Sequence, residues 1–149
     1  MSSKAAIDDF LSRPAMALVG MSRGGRKFGN FAYRALKSKG YRVYPVHPHA
    51  SSIDGVRCYP DFAALPEPVD NLLVIIPSKQ AVTAIRSAAA VGIHHIWLQQ
   101  GSESPEVLNA CHELGVNVIS GECILMFAKP AGYHKVHRWI NGFLGKLPA

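Results

Sequence analysis

The chain has 149 residues, of which 48% are hydrophobic and 17% charged, an ordinary balance for one domain with a core of its own. No run nears the roughly 18 apolar residues of a membrane span. Three scattered cysteines without C-x-x-C spacing fit neither a disulfide framework nor a zinc site.

The net charge of +6 invites an anionic partner. Two basic clusters stand out, at 23–27 and 129–146, and neither carries the stacking aromatics of a nucleic-acid site. A small polyanion explains the first cluster more economically than DNA. Met1-Ser2-Ser3-Lys4 lacks the apolar core of a signal peptide. A cytoplasmic protein that binds neither nucleic acid nor membrane is expected.

The chain opens with a short leader containing Ile7, Phe10 and Leu11, broken by Pro14. Ala15-Met16-Ala17-Leu18-Val19 reads as the first strand, running to about residue 20. Phe28, Phe31, Ala32, Ala35 and Leu36 recur at i, i+3, i+4, i+7 and i+8, one face of a helix that Gly40 ends. Tyr41 to Val46 is the second strand, stopped by Pro48. Residues 49–70 are rich in loop formers, with an Asp54-Gly55 turn, a short strand over Val56 to Tyr59 and a helical turn over Asp61 to Leu65. Asn71 to Ile76 is nearly all apolar up to Pro77, as suits a strand buried on both faces. A helix follows through Val82, Ile85, Ala88 and Ala89, then a strand at Ile96-Trp97-Leu98. Val107, Ala110, Cys111 and Leu114 give another helix, Val116 to Ile119 the last strand, and Val136, Ile140, Phe143, Leu144 and Leu147 a C-terminal helix.

Strands alternating with helices predict an α/β fold, a Rossmann-like doubly wound parallel sheet of about five strands with helices on both faces. One domain spans 1–149, with its core at about 15–123 and a helical tail at about 133–147. In such sheets the ligand lies beyond the C-terminal strand ends, where strand order reverses. The candidate site is therefore Gly20-Met21-Ser22, Pro45-Val46-His47-Pro48, Ile76-Pro77-Ser78-Lys79 and Gln99-Gln100-Gly101.

The loop after the first strand is the most telling stretch. Gly20, Ser22, Gly24 and Gly25 do not fit G-x-G-x-x-G. Three cations, Arg23, Arg26 and Lys27, crowd a turn that ordinarily relies on backbone amides. An NAD site would end the second strand in a carboxylate for the ribose hydroxyl; this chain has Tyr44-Pro45-Val46-His47-Pro48 there. A cationic turn without that acid suits a nucleotide carrying an extra ribose phosphate, such as coenzyme A or NADP. Ser22 can donate its hydroxyl to a phosphate, and Arg26 and Lys27 can pair with phosphates. Pro77 offers a flat apolar wall. Gln99 could bind a diphosphate or an amide. Glu122-Cys123 could lie near a ligand thiol. His94-His95 and His134 with His137 raise a metal, but no Asp, Glu or Cys beside them completes a set, and no metal is expected. No nucleophile elbow and no pair of carboxylates occurs in the cleft loops, so no catalytic residue is assigned.

Five segments carry a family resemblance: Val19-Gly20-Met21-Ser22, Gly40-Tyr41-Arg42-Val43-Tyr44-Pro45-Val46-His47-Pro48, Ile53-Asp54-Gly55, Leu65-Pro66-Glu67-Pro68-Val69-Asp70 and Trp97-Leu98-Gln99-Gln100-Gly101. From about Ala15 to about Cys123 the chain resembles the single-domain CoA-binding proteins, relatives of the N-terminal domain of the succinyl-CoA synthetase α subunit. The resemblance implies ligand roles for Gly20, Ser22, Lys27, Pro45, His47, Ile76, Pro77 and Gln99. His47 departs from the pattern, since many relatives have Asn there. The synthetase reaction needs a second domain with a phosphorylated histidine, which 149 residues cannot add, so that activity is not carried over. The expectation is a non-catalytic module that binds coenzyme A or an acyl-CoA. The alternatives are an NADP-dependent reductase, or a subunit whose C-terminal helix, with Trp139, Phe143 and Leu144, docks a partner or a second copy; the plainer role of that helix is to cap the sheet.

Overall fold

The computed structural model describes residues 3–129. The helix expected over 133–147 and the pair His134 and His137 lie outside the described residues. In chain order the elements are α1 (Lys4–Leu11), β1 (Ala15–Val19), α2 (Phe28–Ser38), β2 (Arg42–Pro45), β3 (Ser52–Ile53), β4 (Val56–Arg57), a 3₁₀ turn (Phe62–Ala64), β5 (Asn71–Val74), α3 (Ser78–Ala90), β6 (His95–Leu98), α4 (Pro105–Leu114), β7 (Asn117–Ile119) and a second 3₁₀ turn (Ile124–Met126).

Five strands form one sheet in the order β2-β1-β5-β6-β7, and every pair in it is parallel. All five residues of β1 and all four of β5 are buried, as a strand covered on both faces requires. Side chains alternate between the two faces. Met16 and Leu18 pack with Phe10, Leu11, Tyr33 and Leu36 on the side of α1 and α2. Ala17 and Val19 pack with Ile85, Ala88, Val107 and Cys111 on the side of α3 and α4. Burying one such large side chain contributes about 2 kcal/mol. The result is the doubly wound, Rossmann-like fold. From β1 the chain moves outward to β2, then returns past β1 to β5, so the order reverses between β1 and β5.

Three local expectations need correction. The leader is a helix, α1: Ser3 caps it by accepting from Ala6 N–H at 3.1 Å, and Phe10 meets Trp97 edge to face at 5.3 Å. The expected strand over Val56 to Tyr59 is shorter, Val56–Arg57, and it pairs antiparallel with β3, a strand within the expected loop. Asp54 and Gly55 both have positive φ, 51° and 77°, the primed turn that matches strand twist.

The third correction concerns the buried face of α2. Phe28 and Phe31 are 41% and 55% exposed, while Gly29, Asn30, Ala32, Tyr33 and Leu36 are buried. The helix is rolled because its first turn lies against the end of β1: a Cβ on Gly29 would overlap the carbonyl oxygen of Gly20 and lie 3.1 Å from Met21 N. Only glycine fits that contact, which fixes the inward face regardless of the two phenylalanines.

Candidate ligand-binding cleft

Where β1 and β5 part, their following helices leave to opposite faces and a cleft of about 950 Å³ opens. Its walls come from four places. Gly20, Met21, Ser22, Arg23 and Lys27 follow β1; Val46, His47, Pro48 and His49 follow β2; Ile75, Ile76 and Pro77 follow β5; Lys79, Gln80, Thr83 and Ser87 belong to α3. Pro60, Asp61 and Phe62 close the far end. At Gly20 φ is +134°, and a Cβ there would lie 2.8 Å from the carbonyl carbon of Ile75. The backbones after β1 and β5 and at the start of α2 therefore touch with no side chain between them.

The loop after β1 is held from below. Asn30 is fully buried and its amide grips the Ser22 peptide on both sides: Ser22 N–H donates to Asn30 Oδ1 at 2.9 Å and Asn30 Nδ2 donates to Ser22 O at 3.0 Å. Gly24 N–H donates to Ser22 Oγ at 3.2 Å and Gly25 N–H to Ser22 O at 2.9 Å. Three amides of the loop are thus engaged within it. Toward the cleft the loop presents the Ser22 hydroxyl and the side chains of Arg23 and Lys27.

Both helices that begin at the cleft lack a side-chain cap. Lys27 precedes α2 and Pro77 precedes α3, and neither supplies a capping hydrogen bond. Asn30 N–H donates to Lys27 O at 3.0 Å and Gln80 N–H to Pro77 O at 2.9 Å, so the amides without an intrahelical partner are the first two of each helix, at the positive end of its dipole, where an anion is favoured. Lys79 adds a cation in the first turn of α3.

At the end of β2 a bridge from Val46 to Tyr59 extends the strand, with His47 N–H donating to Tyr59 O at 2.8 Å and Tyr59 N–H to Pro45 O at 2.9 Å. His47 Nδ1 accepts from His49 N–H at 3.1 Å and Ala50 N–H at 2.9 Å. An accepting Nδ1 puts the proton of the neutral ring on Nε2, so Nε2–H is the donor left over. Burial, then the nearby Arg23 and His49, lower the His47 pKa below the ordinary histidine value. His47 thus enters the cleft as a neutral donor held in a turn.

Of the residues singled out from sequence, Gly20, Met21, Ser22, Lys27, Val46, His47, Ile76 and Pro77 meet in this cleft. Arg26, Pro45 and Gln99 are not among its lining residues. Arg26 is exposed beyond the turn. Pro45 is buried beneath the strand end, with its carbonyl on Tyr59. Gln99 is 5% exposed and its Oε1 accepts Ile124 N–H at 3.0 Å, so it fastens the second 3₁₀ turn. Cys123 starts that turn, half-buried, and does not line the cleft. Cys111 is a core residue whose thiol pKa burial raises.

Sequence reasoning passed over Asn30 and Gly29 and left Arg23 out of the ligand set. A small residue and an amide in the first turn of the helix after a glycine loop were the available signal. Glu67 also has a structural partner. Arg42 donates to it at 2.7 and 3.0 Å and the Tyr44 hydroxyl donates as well, pulling its pKa down to about 2, mainly through the Arg42 hydrogen bond.

The family described as CoA binding domain matches residues 14–129. The chain belongs to that family. The α subunit of an ADP-forming acetate–CoA ligase of Pyrococcus furiosus is 23% identical over 129 residues, which is 79% of this chain and 28% of the subunit. The chain therefore spans little more than a quarter of that relative. An uncharacterised Bacillus subtilis protein, YneT, is 28% identical over 82% of this chain and 91% of its own length. A conserved hypothetical protein of Pyrococcus furiosus has a solved structure with a TM-score of 0.70 and 35% identity, covering 75% of this chain and 97% of that one. Relatives thus include both stand-alone proteins of this size and parts of larger ligases. No helix among the described residues is long and apolar enough to cross a membrane.

Proposed function

We propose that the cleft between β1 and β5 binds coenzyme A or an acyl-CoA and that the chain acts as a cytoplasmic binding module with no catalysis of its own. The observation that carries this reading is the pair of uncapped helix starts facing one cleft with Arg23, Lys27 and Lys79. The donors suit the ligand. A CoA molecule carries about four negative charges near neutral pH, which helix termini and cations complement. The backbone contact at Gly20 and Gly29 holds the loop after β1 against the start of α2, which keeps these donors in place.

In this reading Lys27 and Arg23 pair with phosphate oxygens, the Ser22 hydroxyl donates to one of them, and His47 Nε2–H donates to the ribose phosphate or the base. Val46, Ile76 and Pro77 supply apolar walls for the adenine or the pantetheine arm. The acids near the cleft already hold structural positions: Asp61 accepts Ala64 N–H at 2.9 Å, and Asp54 sits against Gly25. That leaves no carboxylate poised for proton transfer.

Calorimetric titration with CoA, acetyl-CoA and NADPH tests the proposal. Binding of CoA at micromolar concentration, with NADPH at least about tenfold weaker, is expected. No heat with CoA at millimolar concentration would refute it, and tighter binding of NADPH would move the chain to the reductase class.

A further inference from the structure

The β2 edge of the sheet holds a second cavity, and no residue lines both it and the cleft. β2 is an edge strand. Tyr59 returns to the end of its outer side: Tyr59 N–H donates to Pro45 O and His47 N–H to Tyr59 O, in a parallel bridge with Val46. Carried backward, that register sets Arg57 opposite Tyr44, but β4 pairs with β3 and not with β2. The two segments therefore diverge below the bridge. A groove of about 370 Å³ opens there between β2, β4 and α2, within the ~300–1,000 Å³ of small-molecule sites.

Four tyrosines wall the groove, Tyr33, Tyr41, Tyr44 and Tyr59, with Val43 and Val56 between them. Lys37, Arg42 and Arg57 also line it, and no Asp or Glu does. Arg42 is committed to Glu67. The other two cations rest on rings. Lys37 Nζ donates to Tyr33 Oη at 3.2 Å and lies 5.6 Å from the ring centroid, and the Arg57 guanidinium lies 5.1 Å from the Tyr59 centroid. A cation steadied by a ring keeps N–H donors for an anion. The backbone adds one more donor. Arg42 N–H and Val46 N–H bond inward to Pro14 O and Leu18 O. Peptide groups turn to alternate sides along a strand, so Val43 N–H and C=O face the groove.

We infer that this groove is a second ligand site, for a small anion carried on a flat ring: an aromatic carboxylate or an aromatic phosphate monoester. Lys37 and Arg57, with no acid in the lining, select the negative group, which Arg57 can take in a bidentate way. The tyrosine walls and the two valines select an apolar, planar body. The volume exceeds what a bare phosphate or carboxylate fills. The site stands apart from the proposed CoA cleft, on the other side of the bridge between Val46 and Tyr59.

Amide chemical shifts of the full chain, followed by NMR during titration, test this. Phenylacetate and phenyl phosphate are the probes, and whichever binds more tightly identifies the acid group. The better probe should move the amides of Val43, Val56 and Arg57 and saturate at millimolar concentration. Inorganic phosphate should bind at least about tenfold more weakly, because it leaves the ring walls uncovered. Lys37→Ala with Arg57→Ala should weaken the better probe at least about tenfold. Both side chains are exposed, and Tm beside the wild type shows whether the fold survives. If it does not, Arg57→Gln decides: weaker binding supports the site and unchanged binding refutes it. Inorganic phosphate binding as tightly as the better probe overturns the inference and leaves an adventitious ion only. No shift with either probe overturns it, as do shifts confined to Gly20, Ser22 and Ser78, and so does a double variant that folds and binds unchanged. Displacement of the probe by CoA would make the groove part of the CoA site and overturns its independence. The probes read the groove directly, so the result stands or falls apart from the CoA assignment.

Discussion

α3 and α4 begin at the same end of the sheet, on the same face, one strand apart, yet their first turns are built differently. α4 completes itself. Ser104 accepts Val107 N–H at 3.2 Å, and Pro105 and Glu106 occupy its first turn, a residue that needs no amide partner followed by an acid that complements the dipole. α3 starts at Pro77 with no capping side chain and a lysine in its first turn. α2, across the reversal point of the sheet, shares the second design, with Lys27 where a Ser or Asp would satisfy the helix. The two helix starts that flank the reversal carry no capping side chain, and the next one along is closed. A fold of this type offers several helix N-termini at one end, and here capping chemistry separates the two at the cleft from the one beside it.

Substitutions can break that contrast. The largest effect is expected for Gly29→Ala, which drives a methyl group into the Gly20 carbonyl. It should cost about 3 kcal/mol of stability and remove CoA binding, measured by thermal unfolding and calorimetry. Asn30→Ala comes next. It orphans the Ser22 N–H and carbonyl, for about 2 kcal/mol, with a weaker loss of affinity because the cations remain.

A paired exchange sharpens the comparison further. Lys27→Ser should cap α2 and stabilise the free protein by up to about 1 kcal/mol, while weakening CoA about tenfold through loss of a charged partner. Ser104→Ala should do the reverse, costing about 1 kcal/mol of stability with CoA affinity unchanged. If Ser104→Ala weakened CoA as much as Lys27→Ser does, the division between open and closed helix starts would be wrong.

Smaller effects come from titration. Burial, before the cations around it, lowers the His47 pKa below its ordinary value of 6.5, so the unfolded chain takes up that proton more readily than the folded one. The sign follows directly. Stability is retained above about 6.5 and is lost as pH falls from there through the lowered folded value. His95 shifts in the same direction, also mainly by burial. Comparing Tm at pH 7.5 and 5.5, His47→Asn should reduce the drop, since Asn can accept the same two amides without titrating, and His95 should keep it from vanishing. The least effect belongs to Glu67→Gln on the half-exposed Arg42 pair, where water screens the charge. The Glu67 pKa of about 2 means that its contribution is present above the ordinary carboxylate range and is lost as pH falls toward 2. Acid titration of the variant against the wild type should differ only in that window.

The readability of each element followed from its physics. β1 and β5 announced themselves because a strand buried on both faces must be apolar throughout. β3 did not, because two residues carry no period and the pairing depends on the Asp54-Gly55 turn closing onto β4. Pro77 and His47 could be placed because strand ends are where this architecture collects ligands. Gln99 sits at such an end too, but its amide was needed by Ile124 N–H, a partner 25 residues away that no local pattern records. Arg26 and Lys27 look alike in sequence, and only the start of α2 turns one to the cleft and leaves the other in solvent.

Alternating apolar runs and helical periods determined by themselves that this chain builds a parallel α/β sheet, and a cationic glycine turn with no acid after the second strand pointed to a polyphosphorylated ligand. Those properties are local, written in hydrophobic period and charge. The tertiary structure decided the strand order that opens the cleft, the engagement of three loop amides by Ser22 and Asn30, and the roll of α2 that buries Gly29 and turns Phe28 and Phe31 outward. Each depends on which backbones touch across the sheet, and a contact between Gly20 and Gly29 outweighs two phenylalanines because overlap cannot be relieved while an exposed ring costs little.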